Sequence, residues 1–114
     1  FAVFDNEDIV SNITPNFDAV SKLDGQGLII SSSSNQYDFV SRYFCPKYGI
    51  NEDPVTGSAH TTLIPYWSEK LNKISLTAKQ VSKRGGELFC ENTDNRVLIG
   101  GNAVLYMKGV IELD

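Results

Sequence analysis

Long hydrophobic runs and basic clusters are both missing from this chain of 114 residues. The longest apolar stretches cover four or five residues, as in residues 27–30. A membrane-spanning helix needs roughly 20, so a transmembrane segment is excluded. Lys and Arg number ten against fourteen Asp and Glu, which gives a formal net charge of −4. Because no Lys/Arg block is present, we expect neither nucleic acid nor an anionic membrane as a partner.

Cysteine and histidine are also rare, with two of the first and one of the second. Cys45 and Cys90 lie far apart and fit no metal-ligand spacing, so no metal site is predicted. Two isolated thiols are typical of a reducing compartment, which predicts a cytoplasmic location. A disulfide between them stays open at this stage. Ser58 is not part of a Gly-x-Ser-x-Gly elbow and Cys45 has no identifiable base, so nucleophilic catalysis is not indicated.

The composition is that of one ordinary globular domain, at 41% hydrophobic and 21% charged residues. Periodicity predicts strands at residues 1–4, 27–32 and 37–44. A short acidic helical turn is expected at 6–11, and a second short helix is expected to begin at Thr14 and Pro15. The opening residues read as a strand already under way, which predicts that residues 1–114 are one domain of a longer protein.

A longer helix is predicted from Gly57 to Leu71, where apolar residues recur every four positions. Pro65 lies inside this helix and is expected to kink it or to remove one backbone hydrogen bond. Residues 45–56, which contain two prolines and a glycine, are predicted to form a loop. The C-terminal third is predicted to be an antiparallel meander that ends in a long strand at 103–113. The fold class that follows is α+β, with one helix enclosed by the domain.

The residues with the most chemical potential lie at the junction between the predicted loop and this helix. The first turn of a helix has unpaired N–H groups, and the dipole there attracts anions. Gly57 gives a ligand close access to the backbone and Ser58 adds a hydroxyl, so a small carboxylate or phosphate is an expected ligand. Asp53 stands nearby as a proton acceptor or hydrogen-bond holder.

Each of these residues also has a purely structural interpretation. Thr56 and Asp53 are ordinary helix N-cap types. His60, inside the first turn, is also typical of a packed or capping histidine. Arg42, on a strand, is expected to pair with a neighbouring acid, and Gln80 to line a strand. From the chemistry of these residues alone, the choice between a ligand site and a simple helix start stays open.

Several segments together resemble the phenazine-biosynthesis (PhzF-like) family. The longest is residues 41–60, which read SRYFCPKYGINEDPVTGSAH. Further matches are PYW at 65–67, QVSKRGG at 80–86 and RVLI at 96–99. The resemblance extends over nearly the whole chain, and it implies a diaminopimelate-epimerase-like fold. In that fold a curved, mostly antiparallel sheet or barrel wraps around a central helix, and the active site lies between two similar domains.

The resemblance also implies roles for individual residues. The Asp of the family's Asp-Pro-x-Thr-Gly-Ser motif falls on Asp53, which is then a catalytic carboxylate that supports proton transfer. Gly57 and Ser58 are expected to hold the substrate carboxylate, together with Thr56 and His60. In the related epimerases a catalytic Cys takes the place of Ser58, so a two-thiol racemisation is not expected. No metal and no organic cofactor are implied.

The family's principal acid/base glutamate has no matching segment in this chain. The chain therefore resembles a C-terminal domain, and its partners are expected to be an N-terminal domain and a small carboxylate substrate, with a homodimer as a further expectation. The implied function is isomerisation by cofactor-independent acid–base proton transfer, with the chain inactive by itself. The alternative is a non-catalytic carboxylate-binding or dimerisation module.

Overall fold

The computed structural model describes residues 1–114 and contains a curved, unclosed sheet of seven strands with helices on both faces. The strands are β1 (Ala2–Val3), β2 (Leu28–Ser33), β3 (Phe39–Cys45), β4 (Ile50–Asp53), β5 (Ser75–Gln80), β6 (Gly86–Asn92) and β7 (Val97–Gly100). The helices are α1 (Glu7–Asn12), α2 (Phe17–Ser21) and α3 (Gly57–Leu71), and a 3₁₀ turn covers Pro46–Tyr48. The longest of these helices, α3, has 15 residues, and none of the three could span a membrane.

Strand β3 is the centre of the sheet, and its two edges are used differently. One edge pairs with β2 in antiparallel register along its length. The other edge is shared, because residues 39–41 pair with β5 in parallel and residues 43–45 pair with β4 in antiparallel register. The sheet continues with β6 and β7 beyond β5, both antiparallel, and with β1 beyond β2 in parallel. This shared edge brings the ends of β4 and β5 together.

The hydrophobic core is divided between the two faces of the sheet, because successive side chains of β3 point to opposite sides. On one face, residues of α3 and of the sheet together form a cluster of nine buried residues: Phe39, Ala59, Leu63, Ile64, Trp67, Leu76, Ala78, Leu88 and Cys90. On the other face, residues of α1, α2 and the sheet together form a cluster of five: Val10, Val20, Ile30, Val40 and Phe44. We call these the α3 face and the α1 face.

Helix α3 has the bounds that the sequence predicts, and it continues through Pro65 as one element. Leu63 and Trp67 are buried against the sheet, whereas Thr61 and Pro65 are exposed. Proline removes the amide that would bind the Thr61 carbonyl. Since that turn of the helix faces solvent, water can satisfy the carbonyl. The helix ends at Asn72, whose φ of 52° is the left-handed conformation of a helix C-cap.

The loop predicted for residues 45–56 is wrong over much of its length. Pro46 opens the 3₁₀ turn and Gly49 closes it in the left-handed conformation, with φ of 82°. Residues 50–53 then form β4, whose sequence Ile-Asn-Glu-Asp shows no apolar alternation. Its extended conformation comes from pairing with β3, which is a tertiary effect that the local sequence does not reveal. The second short helix also begins later than predicted, with Asn16 as its N-cap.

The long final strand predicted at 103–113 is also wrong. Residues 101–114 form no regular secondary structure and are exposed, including Leu105, Tyr106 and Ile111 at 84–99% of their surface. The alternation of apolar residues there marks strand potential, but a strand forms only on a partner edge, and these residues pair with none in this chain.

Candidate functional site

The centre of the candidate site is the turn that connects β4 to α3. Thr56 is the N-cap residue of α3, and it is buried with extended backbone angles. Its side chain makes no capping hydrogen bond. Instead, the Thr56 hydroxyl donates to Oδ2 of the half-buried Asp53, over 2.7 Å. The Asp53 carboxylate is thereby fixed beside the helix start, and the first-turn N–H groups are left without a side-chain cap.

Gln80, at the end of β5, makes three hydrogen bonds to this turn. Its Oε1 accepts a hydrogen bond from the Thr56 backbone N–H at 2.8 Å. Its Nε2 donates to the Asp53 backbone carbonyl at 2.7 Å and to the Thr56 hydroxyl at 3.1 Å. The side chain is fully buried. A buried amide that lost these partners would cost about 1–3 kcal/mol, so the arrangement is strongly favoured once the sheet has formed.

Gly57 and Ser58, the first two residues of α3, are exposed above this turn. A Cβ built on Gly57 would meet no atom within 4 Å, which shows open space at that position. Gly57 lines a cleft of about 520 Å³ whose walls include Arg84 and Gly101, and Ser58 lines a second cleft of about 370 Å³ beside Tyr43. The start of α3, with its free N–H groups and the positive end of its dipole, therefore faces open space that an anion can enter.

His60 does not reach this surface. Its side chain is fully buried, it packs beside the Phe39 ring with 6.0 Å between centroids, and its Nδ1 lies 2.7 Å from the Thr56 carbonyl oxygen. Burial lowers the pKa of the imidazole, although the bond to Thr56 acts in the opposite direction. The ring is therefore neutral at pH 7, and Nδ1 carries the proton that it donates to this carbonyl.

Cys45 and Tyr43 are two ionisable groups whose pKa values respond to the charge of Asp53. Burial raises the pKa of the Cys45 thiol, and the negative charge of Asp53 adds to the effect. Burial and nearby acidic groups, Cys45 first and Asp53 among them, also raise the pKa of Tyr43. Burial raises the pKa of Cys90 to about 11. Both cysteines are free thiols in the structure, and at neutral pH they are protonated and poor nucleophiles.

On the α1 face, Arg42 holds the residue that precedes Asp53. Its guanidinium donates to both carboxylate oxygens of Glu52, at 2.6 and 2.9 Å. Another nitrogen of the group donates to the backbone carbonyls of Val10, Ser11 and Ile13 near the end of α1. Arg42 thus pairs with a neighbouring acid, as the sequence predicts. Each residue of β4 points to the face opposite its neighbour, so Glu52 serves one face and Asp53 the other.

The structure brings four of the five residues singled out from the sequence to one place. Asp53 and Thr56 are hydrogen-bonded to each other, and Gly57 and Ser58 follow them at the exposed helix start. His60 lies behind them in the core, where the packed-histidine interpretation accounts for it.

Gln80 is the contributor that the sequence interpretation missed. Leu76, Ala78 and Gln80 alternate along β5 as one buried set, and this pattern is the signal that could have found it. An amide on the buried face of a strand needs hydrogen-bond partners.

Comparison with known proteins identifies the family of this chain. The family model for phenazine biosynthesis-like proteins matches residues 1–109. An uncharacterized isomerase of Pseudomonas aeruginosa is 50% identical over 111 residues, which cover 97% of this chain and 42% of that protein. An uncharacterized isomerase of Halalkalibacterium halodurans is 46% identical, with 96% of this chain and 42% of that protein covered. The chain thus spans about two fifths of the length of these relatives.

A solved structure gives the same result for the fold. A PhzF-family phenazine biosynthesis protein from Enterococcus faecalis superimposes with a TM-score of 0.88 and 55% sequence identity, over 92% of this chain and 41% of that one. The fold is the diaminopimelate-epimerase-like fold that the sequence resemblance implies. Taken together, the family match, the relatives and the shared fold establish that this chain belongs to the phenazine biosynthesis-like (PhzF) family.

Proposed function

We propose that residues 1–114 are the C-terminal, substrate-holding domain of a PhzF-like isomerase that shifts a proton on a small carboxylate without a cofactor. The relatives that are about half identical carry the name isomerase and are more than twice as long. In this proposal the missing length supplies the N-terminal domain and the principal acid/base glutamate, and the active site lies between the two domains.

The observation that carries the proposal is the diverted cap of α3. An ordinary N-cap hydroxyl satisfies an N–H of its own helix. Here the Thr56 hydroxyl binds Asp53 instead, so no cap side chain occupies the first-turn N–H groups, and those of Gly57 and Ser58 among them are available to an anion. The same contact sets a carboxylate beside that anion site.

Each residue then has a defined task. The substrate carboxylate accepts hydrogen bonds from the N–H groups of Gly57 and Ser58, and the Ser58 hydroxyl adds a donor. Oδ2 of Asp53 is held by Thr56, while Oδ1 makes no hydrogen bond within the chain and accepts one from the substrate. The missing domain closes over the site, excludes water and supplies the group that removes and returns the proton. The chain alone is therefore inactive in this proposal.

The test is proton exchange in D₂O with the full-length gene product. A suitable probe is 1,4-dihydrobenzoate, an unsaturated ring acid whose C1 hydrogen is activated by two double bonds. We expect deuterium uptake that is followed by NMR, and Asp53→Asn should lower turnover by about 10²–10⁴-fold. Asp94→Asn, in the exposed turn between β6 and β7, is the matched control and should leave turnover unchanged.

Three outcomes separate the alternatives. Exchange that needs Asp53 supports the isomerase. Saturable binding of benzoate without exchange of any ring acid would instead identify a non-catalytic carboxylate-binding module. Exchange by residues 1–114 alone, abolished by Asp53→Asn, would contradict the shared site, because the chain would then contain its own general base.

A further inference from the structure

We infer that Gln80 is a positioning residue for the proposed proton transfer, because its buried carboxamide directs the Thr56 hydroxyl onto Asp53. The inference rests on the proposed function and assigns to it a residue that would not touch the substrate. Gln80 lies 24 residues after Thr56 along the chain, on a different strand, and is fully buried.

The orientation of the Gln80 amide is fixed by its partners. Oε1 faces a donor, the Thr56 N–H, and Nε2 faces an acceptor, the Asp53 carbonyl. A flipped amide would set oxygen against oxygen and N–H against N–H. Only one orientation therefore satisfies the buried groups, and that orientation directs the second Nε2 hydrogen at the Thr56 hydroxyl oxygen.

The hydrogen bond from Gln80 to the Thr56 hydroxyl then sets the direction of the bond from that hydroxyl to Asp53. The Thr56 hydroxyl has a single hydrogen and two lone pairs. Since the oxygen already accepts from Gln80, its own hydrogen is free to point at Asp53 Oδ2, 2.7 Å away. The result is two successive hydrogen bonds with one donor direction, from Gln80 to Thr56 and from Thr56 to Asp53. We call this pair of bonds the relay. A donor held in this way pays no reorganisation cost when charge moves in the site.

Gln80 also fixes the backbone at both ends of the turn. It binds the carbonyl of Asp53 and the amide of Thr56, so the two residues that carry the relay cannot separate. By contrast, the amides of Gly57 and Ser58 have no contact with Gln80 among the hydrogen bonds of the chain. Loss of Gln80 is therefore expected to disturb the position of Asp53 more than the binding of a substrate carboxylate.

The experiment uses the full-length gene product and the deuterium-uptake assay with 1,4-dihydrobenzoate. We expect Gln80→Ala to lower kcat about 10–100-fold while KM changes less than about threefold, because misplacement of a reacting group lowers turnover rather than binding. Thr56→Val, which keeps the shape and removes the hydroxyl, should give a similar loss, and Thr56→Ser should restore kcat to within about threefold. The double variant Gln80→Ala/Thr56→Val should be no worse than about the larger single loss, because both act through one relay.

Ser41→Ala is the matched control. Ser41 is a buried polar residue in register with Gln80 on the neighbouring strand, and its hydroxyl has no hydrogen-bond partner in the chain. This variant should leave kcat and KM unchanged. Urea denaturation of all variants identifies any that fail to fold. For those, side-chain amide hydrogen exchange in the wild type replaces kinetics, and the Gln80 carboxamide should exchange more slowly than those of the exposed Gln26 and Gln36.

Three results would each overturn the inference while the proposed function stands. The first is an unchanged kcat in a folded Gln80→Ala variant, and the second is a Gln80 carboxamide that exchanges as fast as Gln26. The third is a kcat loss in the double variant equal to the product of the two single losses, which would contradict a shared relay. Absence of exchange by the wild type on any ring acid would overturn the proposed function, and this inference with it.

Discussion

The two faces of the sheet hold the same short segment, residues 52–56, in different ways. On the α1 face the holder is a charged group, the Arg42 guanidinium on Glu52. On the α3 face it is a neutral amide, that of Gln80. The charged holder ties β4 to the end of α1, whereas the neutral one ties it to the start of α3. The candidate site lies on the side of the neutral amide, at the start of α3, where the Asp53 carboxylate accepts a hydrogen bond from the neutral Thr56 hydroxyl.

The faces also differ in how much core they contain. The α3 face has nine buried apolar residues and the α1 face five. The site is thus attached to the larger core. This arrangement keeps the helix start and the Asp53 turn in fixed relation, which a site needs if its groups are to be preorganised.

The largest expected effect is on the α3 core. Leu63→Ala should lower the free energy of unfolding by about 2–5 kcal/mol, because Leu63 is fully buried and truncation leaves a cavity. Val10→Ala, the matched change on the α1 face, should cost about 1.5 kcal/mol, since it removes two buried carbon groups. Urea denaturation measures both. A loss for Leu63→Ala below about half a kcal/mol would show that α3 is a surface helix.

A smaller effect is expected from the charged holder. Arg42→Ala should cost about 2–4 kcal/mol, because it leaves Glu52 unpaired in a partly buried position and frees the carbonyls at the end of α1. Lys22→Ala, which removes the exposed pair with Asp18, should cost less than about 1 kcal/mol. Urea denaturation measures both losses. Equal losses of unfolding free energy in the two variants would mean that the Arg42 contacts stabilise the fold no more than an exposed ion pair does.

These contrasts were only partly visible in the sequence. Helix α3 was predictable, because Ala59, Leu63 and Trp67 recur at helical spacing and Gly57 marks the start. The Arg42 pairing with an acid was predictable as a type of contact. Glu52 as its partner was not, because Glu52 lies on β4 and β4 exists only through its pairing with β3.

The candidate site shows the same division. Gly57 and Ser58 are exposed by virtue of local position alone, and the sequence predicts them correctly as the start of the helix. The diversion of the Thr56 hydroxyl to Asp53 depends on Gln80, which the fold brings in from another strand. A local pattern cannot show which of two acceptors a hydroxyl will choose when the deciding group is distant in sequence.

The smallest expected effect on stability is that of Gly57→Ala, and it separates stability from ligand binding. Gly57→Ala should raise the free energy of unfolding by about 0.4–1 kcal/mol, because the backbone accepts a side chain there and the unfolded chain loses freedom. The same methyl group projects into the open space above the helix start. It should weaken benzoate binding about tenfold, or about 1.4 kcal/mol. A gain in stability with unchanged benzoate affinity would place the anion elsewhere.

In the proposed function, the uncapped start of α3 is a carboxylate-binding half-site. The most direct test is an NMR titration of the ¹⁵N-labelled protein with benzoate and, in parallel, with benzamide, its neutral counterpart of the same shape. We predict saturable shifts with benzoate that are largest at the amides of Gly57 and Ser58, and no comparable shifts with benzamide, because the helix start recognises negative charge. Equal responses to the two compounds, or benzoate shifts centred away from Gly57 and Ser58, would contradict the account.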